Sequence, residues 1–432
     1  MKRQEDLDEY DRIFLHVFAP VMLWYVTWVL ERASELRIKR LYFLARDGWL
    51  MYHLACLIKE QNPRDVDIDL RYIHVSRYVL RNAEYSFIGL ECLDTICVGG
   101  IDITFEKLMK RAALTDEEIL TVAREVGFQN RLKECLSYAQ IQELKIKLEC
   151  HSDNLFRYIQ NHSEHFYDIT AEYLKQEGLL DDTSYALVDS GWIGTTQKSL
   201  QRILTKIKGQ DVKVKGFYFG LYDIPSKMDK DCYESFYLRP HIDIKRKTRF
   251  SICLFETLFS SPEGMTLNYS SGADGKIQVV KSDFINPNSL FMVRNLELIT
   301  NFVDAVDGRW FYDVLDDWDG NLKTIEKLLS LMMGRPTIEE ASILGGFQFC
   351  DDVLELQMQN VAAIWDDLEL KRQWFFKKIN IKFFKSEEKL HESGWPEASI
   401  INLCGEGIRA SKALYSERLY KRLMYVRKSI QV

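Results

Sequence analysis

Short apolar runs, each followed by a turn and then by a helical pattern, constrain the fold of this chain more than any other feature. The runs that we interpret as strands are 41–44, 66–76, 185–189 and 212–220. After the third run, apolar side chains from Leu200 to Ile207 recur at helical spacing, so this helix would pack back onto the sheet. Strand–turn–helix units in this order predict an α/β fold with a parallel sheet.

The segments around these strands divide the chain into four predicted parts. They are an N-terminal helix at 1–40, a Rossmann-like core at 41–82 and 166–270, a helical insertion at 83–165, and a C-terminal helical domain at 285–432. Capping boxes at 115-TDEE-118 and 337-TIEE-340 predict helix starts in the insertion and in the C-terminal part. Apolar residues from Leu354 to Leu368 recur at alternating intervals of four and three positions, which predicts an amphipathic helix there. An insertion at the strand ends would lie as a cap over any site at that edge.

The segment from Phe14 to Leu30 has two interpretations, because its 17 residues include no formally charged side chain. That length is barely enough to span a bilayer, and the segment also contains His16, Pro20 and Thr27. We expect a helix that is buried on both sides within the protein. A membrane anchor is the alternative.

Net charge and cysteine usage limit the possible partners and the compartment. The formal charge of -7 gives no overall electrostatic reason to bind nucleic acid. The nine cysteines are odd in number and include no CxxC pair, which is typical of free thiols in a reducing compartment. We also identify no signal peptide near the first residues. These observations predict a cytoplasmic protein.

Two aspartates, Asp47 and Asp189, follow predicted strands and precede predicted helices. Ligands of parallel α/β sheets bind at the carboxyl ends of the strands, and the N–H groups of a helix start favour an anion. The second turn adds glycines and hydroxyl groups, namely Ser190, Gly191, Gly194, Thr195 and Thr196. Carboxylates beside a phosphate favour Mg²⁺, so we predict a phosphorylated small molecule with Mg²⁺ held by the two aspartates. The alternative is two ordinary connections in which aspartate caps a helix.

Three segments, 42-YFLARDG-48, 187-LVDSGWIGTTQ-197 and 256-ETLFSSPEGMTLNY-269, carry a family resemblance. They resemble a bacterial family of predicted hydrolases of the haloacid dehalogenase (HAD) superfamily, which is encoded among surface-polysaccharide glycosyltransferase genes. The resemblance covers about 10–270 of the chain. It implies a Mg²⁺-dependent phosphohydrolase or phosphotransferase that acts on a phosphorylated sugar or related metabolite. It also implies a glycosyltransferase, or another polysaccharide-assembly protein, as partner.

The resemblance assigns roles to individual residues. Asp47 would be the nucleophile and a metal ligand, and Asp189 would be the second metal ligand. Ser76 would bind the phosphoryl group, and Lys175 in 172-EYLKQEG-178 would steady its charge. The insertion would occupy the position of a cap domain.

One position departs from the superfamily pattern. The general acid/base aspartate that normally follows the nucleophile by two positions is Trp49 here, and its loss would lower the rate by about 10²–10⁴. Glu256, inside an apolar stretch, could replace it as a catalytic acid if the fold carries it into the site. The alternative for Glu256 is a salt bridge to a basic neighbour.

A second resemblance, to type I phosphoribosyltransferases, explains the same turns differently. The sequence 188-VDSGWIGTT-196 is similar to the loop that holds the 5-phosphate of phosphoribosyl diphosphate in that family. The turn 45-ARDG-48, with Arg77 nearby, would then contact the diphosphate. Ser190 replaces the second acid of that motif, and the loop is about one residue short. This reading implies phosphoribosyl or sugar-phosphate binding or transfer.

A third hypothesis is a non-catalytic scaffold that keeps an enzyme-like fold and binds glycosyltransferases. Trp49 and Ser190, each in place of an expected acid, favour it. Basic and aromatic residues interleave in 371-KRQWFFKKINIKFFK-385, and seven basic residues lie between Arg409 and Lys428. We expect a helical surface that neutralises acidic neighbours. Peripheral contact with an anionic membrane or with a glycosyltransferase is the alternative, and nucleic acid is the least favoured partner.

Overall fold

The computed structural model describes residues 7–61, 67–100, 102–305, 318–350, 358–384 and 388–430. Its centre is a five-stranded sheet in which all neighbouring strands are parallel. The strands are β1 (Arg40–Leu44), β2 (Asp69–Ile73), β3 (Tyr185–Asp189), β4 (Lys215–Gly220) and β5 (Tyr233–Leu238). With helices on both faces, this arrangement confirms the predicted α/β fold with a Rossmann-like parallel sheet.

The strand order β2-β1-β3-β4-β5 places β1 and β3 side by side. Phe43 of β1 pairs with Val188 of β3, and Leu44 of β1 pairs with Ile73 of β2. The chain therefore extends the sheet on one side of β1 and then returns to extend it on the other side. In sheets of this order, the crevice outside the carboxyl ends of β1 and β3 is where ligands bind.

Two helical layers cover the sheet because successive strand residues point to opposite faces. In chain order, the α-helices before β4 are α1 (Glu9–Glu35), α2 (Gly48–Gln61), α3 (Arg77–Ile88), α4 (Cys92–Ile96), α5 (Phe105–Lys110), α6 (Asp116–Val126), α7 (Tyr138–His151), α8 (Asp153–Gln176) and α9 (Thr195–Lys208). Phe43 and Val188 belong to the hydrophobic core with α1 and α2. Tyr42 and Leu187 belong to the core with α3, α8 and α9.

The helices between β2 and β3 build a separate group of buried side chains, from Tyr85 to Ile159. Thr115 and Glu118 form the predicted capping box at the start of α6, with each side chain bonded to the other's backbone N–H. Helix α3 begins and α8 ends on the sheet, so the part of this region with its own core is α4 to α7 and the adjoining ends of α3 and α8.

The rest of the described chain is mainly helical. Its elements are α10 (Ile244–Lys247), α11 (Ile252–Phe259), β6 (Thr266–Ser271), β7 (Ile277–Lys281), α12 (Ser289–Ala305), α13 (Trp318–Met332), α14 (Ile338–Gly345), β8 (Gln348–Phe349), β9 (Gln359–Asn360), α15 (Asp367–Arg372), α16 (Phe375–Phe383), α17 (Pro396–Cys404) and α18 (Ile408–Ile430). The predicted capping box at Thr337 and Glu340 opens α14. Side chains from α12 to α15 and from α17 and α18 share the core of α1 and α2.

The predicted amphipathic helix over 354–368 is wrong where the structure describes it, and its first residues lie outside the described part. Residues 359–360 form β9, and the next helix begins only at Asp367. Val361 and Trp365 are buried in the extended segment between them. Burial alone therefore explains their apolar character.

Helix α1 is long and apolar enough to cross a membrane by length and composition, and 72% of its most apolar window is buried inside the protein. Its first turns are held by α12, where Tyr10 Oη donates to Asn295 Oδ1 at 2.5 Å. Arg294 Nε lies 2.7 Å from Asp11 Oδ1. These contacts agree with the expectation of a helix buried within the protein.

Candidate active site

The two aspartate turns meet at the carboxyl edge of the sheet, because β1 and β3 are neighbours. Ser190 connects them. Its backbone N–H donates to Asp189 Oδ1 at 2.9 Å, and its hydroxyl donates to Asp47 Oδ2. Ser190 is 1% exposed, so this connection is shielded from water. The two carboxylates therefore belong to one site.

Asp189 is buried at the end of β3. Burial raises the pKa of its carboxyl well above the usual range, and the negative charge of Asp47 raises it further. Its backbone is fixed from α1, because Tyr25 Oη lies 2.9 Å from the carbonyl oxygen of Asp189 and 3.0 Å from that of Phe217 and shares its one proton between them. The structure thus holds this acid rigidly where its charged form is disfavoured.

Glu256 comes to the same site from α11. The indole Nε1 of Trp192, in the turn after β3, donates to Glu256 Oε1 at 2.8 Å. Burial, together with the charge of Asp47, raises the pKa of Glu256 to about 7. The positive charges of Arg77 and Arg46 act in the opposite direction. The fold therefore brings this glutamate next to the aspartates, which the sequence left open.

Two arginines, and not the predicted lysine, supply positive charge to the carboxylates. Arg77 is the exposed first residue of α3, and its charge acts on both Asp189 and Glu256. Lys175 lies in the last turn of α8, where its side chain is 67% exposed and 4.0 Å from Glu172. The role predicted for Lys175 is therefore wrong.

The position of Lys175 follows from the direction of α8. The chain leaves this helix at the amino end of β1, where Arg40 Nη1 donates to the carbonyl oxygen of Gly178 at 3.0 Å. Arg40 is the first residue of β1, so the end of α8 and the aspartates lie at opposite edges of the sheet.

Ser76 lies at the carboxyl edge, but its hydroxyl has structural partners. It accepts from the N–H of Val79 at 3.1 Å, which caps α3, and it donates to the carbonyl oxygen of Thr266 at 2.7 Å. Because a hydroxyl has a single proton to donate, Ser76 would have to break its bond to Thr266 to donate to a phosphoryl group.

The two glycines of the second turn are explained by contacts within the protein. A Cβ at Gly191 would collide with the carbonyl oxygen of Gly220, and a Cβ at Gly194 would collide with the ring of Tyr233. Gly194 also has φ of 76°, in the left-handed region that favours glycine. The two glycines therefore allow β4 and β5 to approach this turn closely, and their presence needs no phosphate. Thr195 and Thr196 follow in the first turn of α9, and both are half-buried.

The carboxylates have the chemistry of a site for a hard cation. Among the described residues, one oxygen of Asp47 and one of Asp189 accept from Ser190, and the other oxygen of each has no hydrogen bond. Mg²⁺ prefers carboxylate oxygens and keeps several waters, so it needs few protein ligands. No group of three His, Cys, Asp or Glu side chains in the described ranges is placed as a metal site from protein ligands alone. The donor set fits Mg²⁺ bound by two carboxylates and water.

Sequence reasoning missed the residues that join the turns. It assigned Ser190 to a phosphate and did not single out Trp192 or Tyr25. The peptide bonds Ala45–Arg46 and Gly191–Trp192 are cis, one in each turn. Neither precedes proline, so the sequence carried no signal for them.

Comparisons of the chain with protein-family models and with curated proteins gave no match. The resemblances drawn above therefore rest on the quoted segments alone.

Proposed function

We propose that this chain is a Mg²⁺-dependent, HAD-like phosphohydrolase or phosphotransferase that acts on a phosphorylated sugar or related metabolite. One observation carries the proposal. Ser190 hydrogen-bonds to both Asp47 and Asp189, and Glu256, with a raised pKa, lies beside them. Perturbed carboxyl groups that converge at a ligand-binding crevice are typical of catalytic sites.

Asp47 is the proposed nucleophile. Its carboxylate oxygen would attack the phosphorus of the substrate, and the bond from phosphorus to the leaving oxygen would break. Ser190 orients Asp47 by donating to Oδ2, which leaves Oδ1 to form the new bond. The product of this half-reaction is an aspartyl phosphate at Asp47 and a leaving group that needs a proton.

Glu256 is the proposed acid and base. With a pKa of about 7 it carries a proton over much of the neutral range and would give it to the leaving oxygen. As a carboxylate it would then take a proton from water, whose oxygen attacks the phosphorus and frees Asp47. Transfer to an acceptor hydroxyl in place of water would make the enzyme a phosphotransferase. This assigns to Glu256 the role that Trp49 cannot fill.

Asp47 and Asp189 are the proposed Mg²⁺ ligands. A bound Mg²⁺ would neutralise part of the negative charge that a phosphate and two carboxylates bring together. The raised pKa of Asp189 supports this assignment, because a cation there would offset the repulsion from Asp47. Arg77 is placed to contribute positive charge as well.

The geometry favours this function over the phosphoribosyltransferase alternative. A 5-phosphate loop needs glycine backbone open to the phosphate, whereas Gly191 and Gly194 face Gly220 and Tyr233. The scaffold alternative keeps one supporting observation, namely exposed aromatic side chains at the two ends of α16. Phe376 is 83% exposed and Phe384 is 65% exposed. Such a surface supports the proposal of contact with a glycosyltransferase, with another polysaccharide-assembly protein, or with a membrane periphery, in a cytoplasmic protein.

The first test is hydrolysis of p-nitrophenyl phosphate with and without Mg²⁺. Turnover by the unmodified chain should require the metal, and Asp47→Asn should abolish it while circular dichroism shows an intact fold. Asp182→Asn is the matched control, because Asp182 is an exposed aspartate at the amino edge. Turnover that survives in Asp47→Asn, or none in the unmodified chain with any phosphate ester tried, would contradict the proposal.

A further inference from the structure

Two arginines lie on the first turns of α3 at the carboxyl edge, near acids but without a direct ion pair to any residue that the structure describes. Arg77 and Arg81 are four residues apart on α3, so they lie on one face of the helix. Neither forms a hydrogen bond or an ion pair with a described residue. Arg77 is exposed and Arg81 is half-buried.

Helix α9 lies opposite this face. Glu84, three residues beyond Arg81, accepts a hydrogen bond from Ser199 Oγ at 2.6 Å and lies 3.4 Å from Arg202. Because α3 and α9 both begin at the carboxyl edge, we expect the residues one turn earlier on each helix to lie near each other as well. These are Arg81 on α3 and the first turn of α9, which contains Thr195 and Thr196.

The acids near Arg81 have other partners. Glu84 is held by Ser199 and Arg202, and Glu91 by Arg202 at 2.6 Å and Lys198 at 2.9 Å. Burial lowers the pKa of Arg81, and the charges of Tyr85 and Glu84, which act in the opposite direction, do not offset it. A guanidinium group in this setting is costly without an anion, and a phosphate suits its forked geometry.

The arginine pair borders the candidate active site. Helix α3 begins after β2, which pairs with β1, and the charge of Arg77 acts on both Asp189 and Glu256, so Arg77 is the member of the pair nearer to the carboxylates. A ligand whose reacting phosphate is at Asp47 would therefore contact Arg77 close to that phosphate and Arg81 farther from it. The hydroxyl groups and N–H groups of the first turn of α9 would complete the anion site.

We propose that Arg77 and Arg81, together with the first turn of α9, bind a second phosphate group of the substrate. The substrate class is then a diphosphate or a bisphosphate rather than a monophosphate. This inference rests on the proposed function, since it places the first phosphate at Asp47.

The test is calorimetric titration of the full-length Asp47→Asn chain with inorganic pyrophosphate and, separately, with inorganic phosphate, both in excess Mg²⁺. Pyrophosphate should bind at least about tenfold more tightly than phosphate, because it reaches both sites. Arg81→Gln should weaken pyrophosphate about tenfold or more and change phosphate affinity by less than about threefold. Lys175→Gln, which removes an exposed cation at the other edge, is the matched control and should change neither.

Equal loss of affinity for both anions in Arg81→Gln, or no loss for either, would overturn the inference. If Arg81→Gln does not fold, two variants decide instead. Exposed Arg77→Gln should weaken pyrophosphate by a larger factor than phosphate, and Arg81→Lys should weaken pyrophosphate less than Arg77→Gln does.

Failure of the inference and failure of the proposed function give different results. If the unmodified chain hydrolyses p-nitrophenyl phosphate but the arginine variants bind pyrophosphate normally, the second-phosphate site is wrong and the catalytic proposal stands. If pyrophosphate binding depends on Arg81 but no phosphate ester is turned over, the catalytic proposal is wrong and the anion site stands.

Discussion

The two edges of the parallel sheet treat charge in opposite ways. At the amino edge, Arg40 lies 2.7 Å from Asp69 and 3.0 Å from Asp181, and Arg71 lies 2.8 Å from Asp69. Each of these cations therefore has a carboxylate partner. At the carboxyl edge, Asp47, Asp189 and Glu256 lie near one another, although like charges repel.

This difference separates a stabilising edge from a functional one. Paired charges at the amino edge fix the start of β1 and the loop before β3. At the carboxyl edge, burial and the charge of Asp47 raise the pKa of Asp189 and Glu256, which lowers stability and is expected where a bound ligand or cation is meant to offset it. Variants at the carboxyl edge should therefore change activity, and variants at the amino edge should change stability.

The largest expected effect is on turnover in Asp189→Asn. Loss of this metal ligand should lower kcat by about 10⁴-fold, since a cation contributes several kcal/mol of charge stabilisation. The same change should raise the free energy of unfolding by about 1 kcal/mol, because it removes a buried charge and keeps an acceptor for the N–H of Ser190. Kinetics with p-nitrophenyl phosphate and urea denaturation measure the two. A variant that is both active and less stable would show that Asp189 has a structural role.

Glu256→Gln should lower kcat by about 10²- to 10³-fold, because the amide cannot give a proton to the leaving group. In the unmodified chain, kcat/KM should fall as the pH rises above about 7, where Glu256 loses its proton. This high-pH limb should vanish in the variant. A p-nitrophenol leaving group needs little protonation, so an alkyl phosphate should show the larger loss. If kcat/KM falls at the same high pH in both proteins, the group that titrates is not Glu256.

Arg40→Met tests the amino edge. Arg40 is largely buried, but the side chains of Asp69 and Asp181 are 44% and 51% exposed, so losing the guanidinium should lower the free energy of unfolding by about 1–2 kcal/mol. Turnover per folded molecule should stay within about twofold, since no proposed catalytic group contacts Arg40. Urea denaturation and kinetics on the folded fraction provide the measurements. A large loss of kcat in a well-folded variant would break the distinction between the edges.

The stability of the carboxyl edge should depend on pH through Glu256. Its pKa rises from an ordinary 4.5 to about 7 on folding, so its contribution to stability is full below about pH 4.5 and is lost as the pH rises toward 7 and above. Without Mg²⁺, Glu256→Gln should therefore gain stability over the unmodified chain by on the order of 2 kcal/mol between about pH 5 and pH 8. Thermal unfolding over this range provides the measurement. Parallel curves for the two proteins would mean that Glu256 has an ordinary pKa.

The smallest effect belongs to Trp192→Phe. The indole donates to Glu256 and so lowers its pKa, and removing that donor should move the high-pH limb upward by about one unit or less. The fall in kcat should be at most about fivefold, because the carboxyl group itself remains. The measurement is the pH profile of kcat/KM. A downward shift would show that Trp192 does not stabilise the carboxylate form.

Local sequence patterns predicted elements well where burial is continuous. Strand β3 matches its predicted bounds of 185–189, because it is covered on both faces and reads as one apolar run. Strand β5 was not predicted, since 233-YESFYL-238 carries a glutamate that pairs with Arg32. The segment at 358–366 was predicted to be helical because its buried residues recur at helical spacing. It instead forms the short strand β9 and a connection without a helix.

The residues of the candidate site also differ in whether the sequence predicts their positions. The convergence of Asp47 and Asp189 follows from a general rule for parallel sheets, so the sequence was sufficient. The misplacement of Lys175 was avoidable, because the last turn of a helix that leads into a parallel strand lies at the amino edge. The arrival of Glu256 depends on how α11 packs, and no local pattern encodes that packing.

The most direct test of the central claim is to look for phosphate on Asp47. The full-length chain would be mixed with acetyl phosphate and Mg²⁺ and quenched in acid, which preserves acyl phosphates, and its peptides would be analysed by mass spectrometry. We predict one phosphoryl group on Asp47, and none on any peptide of Asp47→Asn. A chain that turns over phosphate esters with Asp47 unmodified, or with the label elsewhere, would contradict the account.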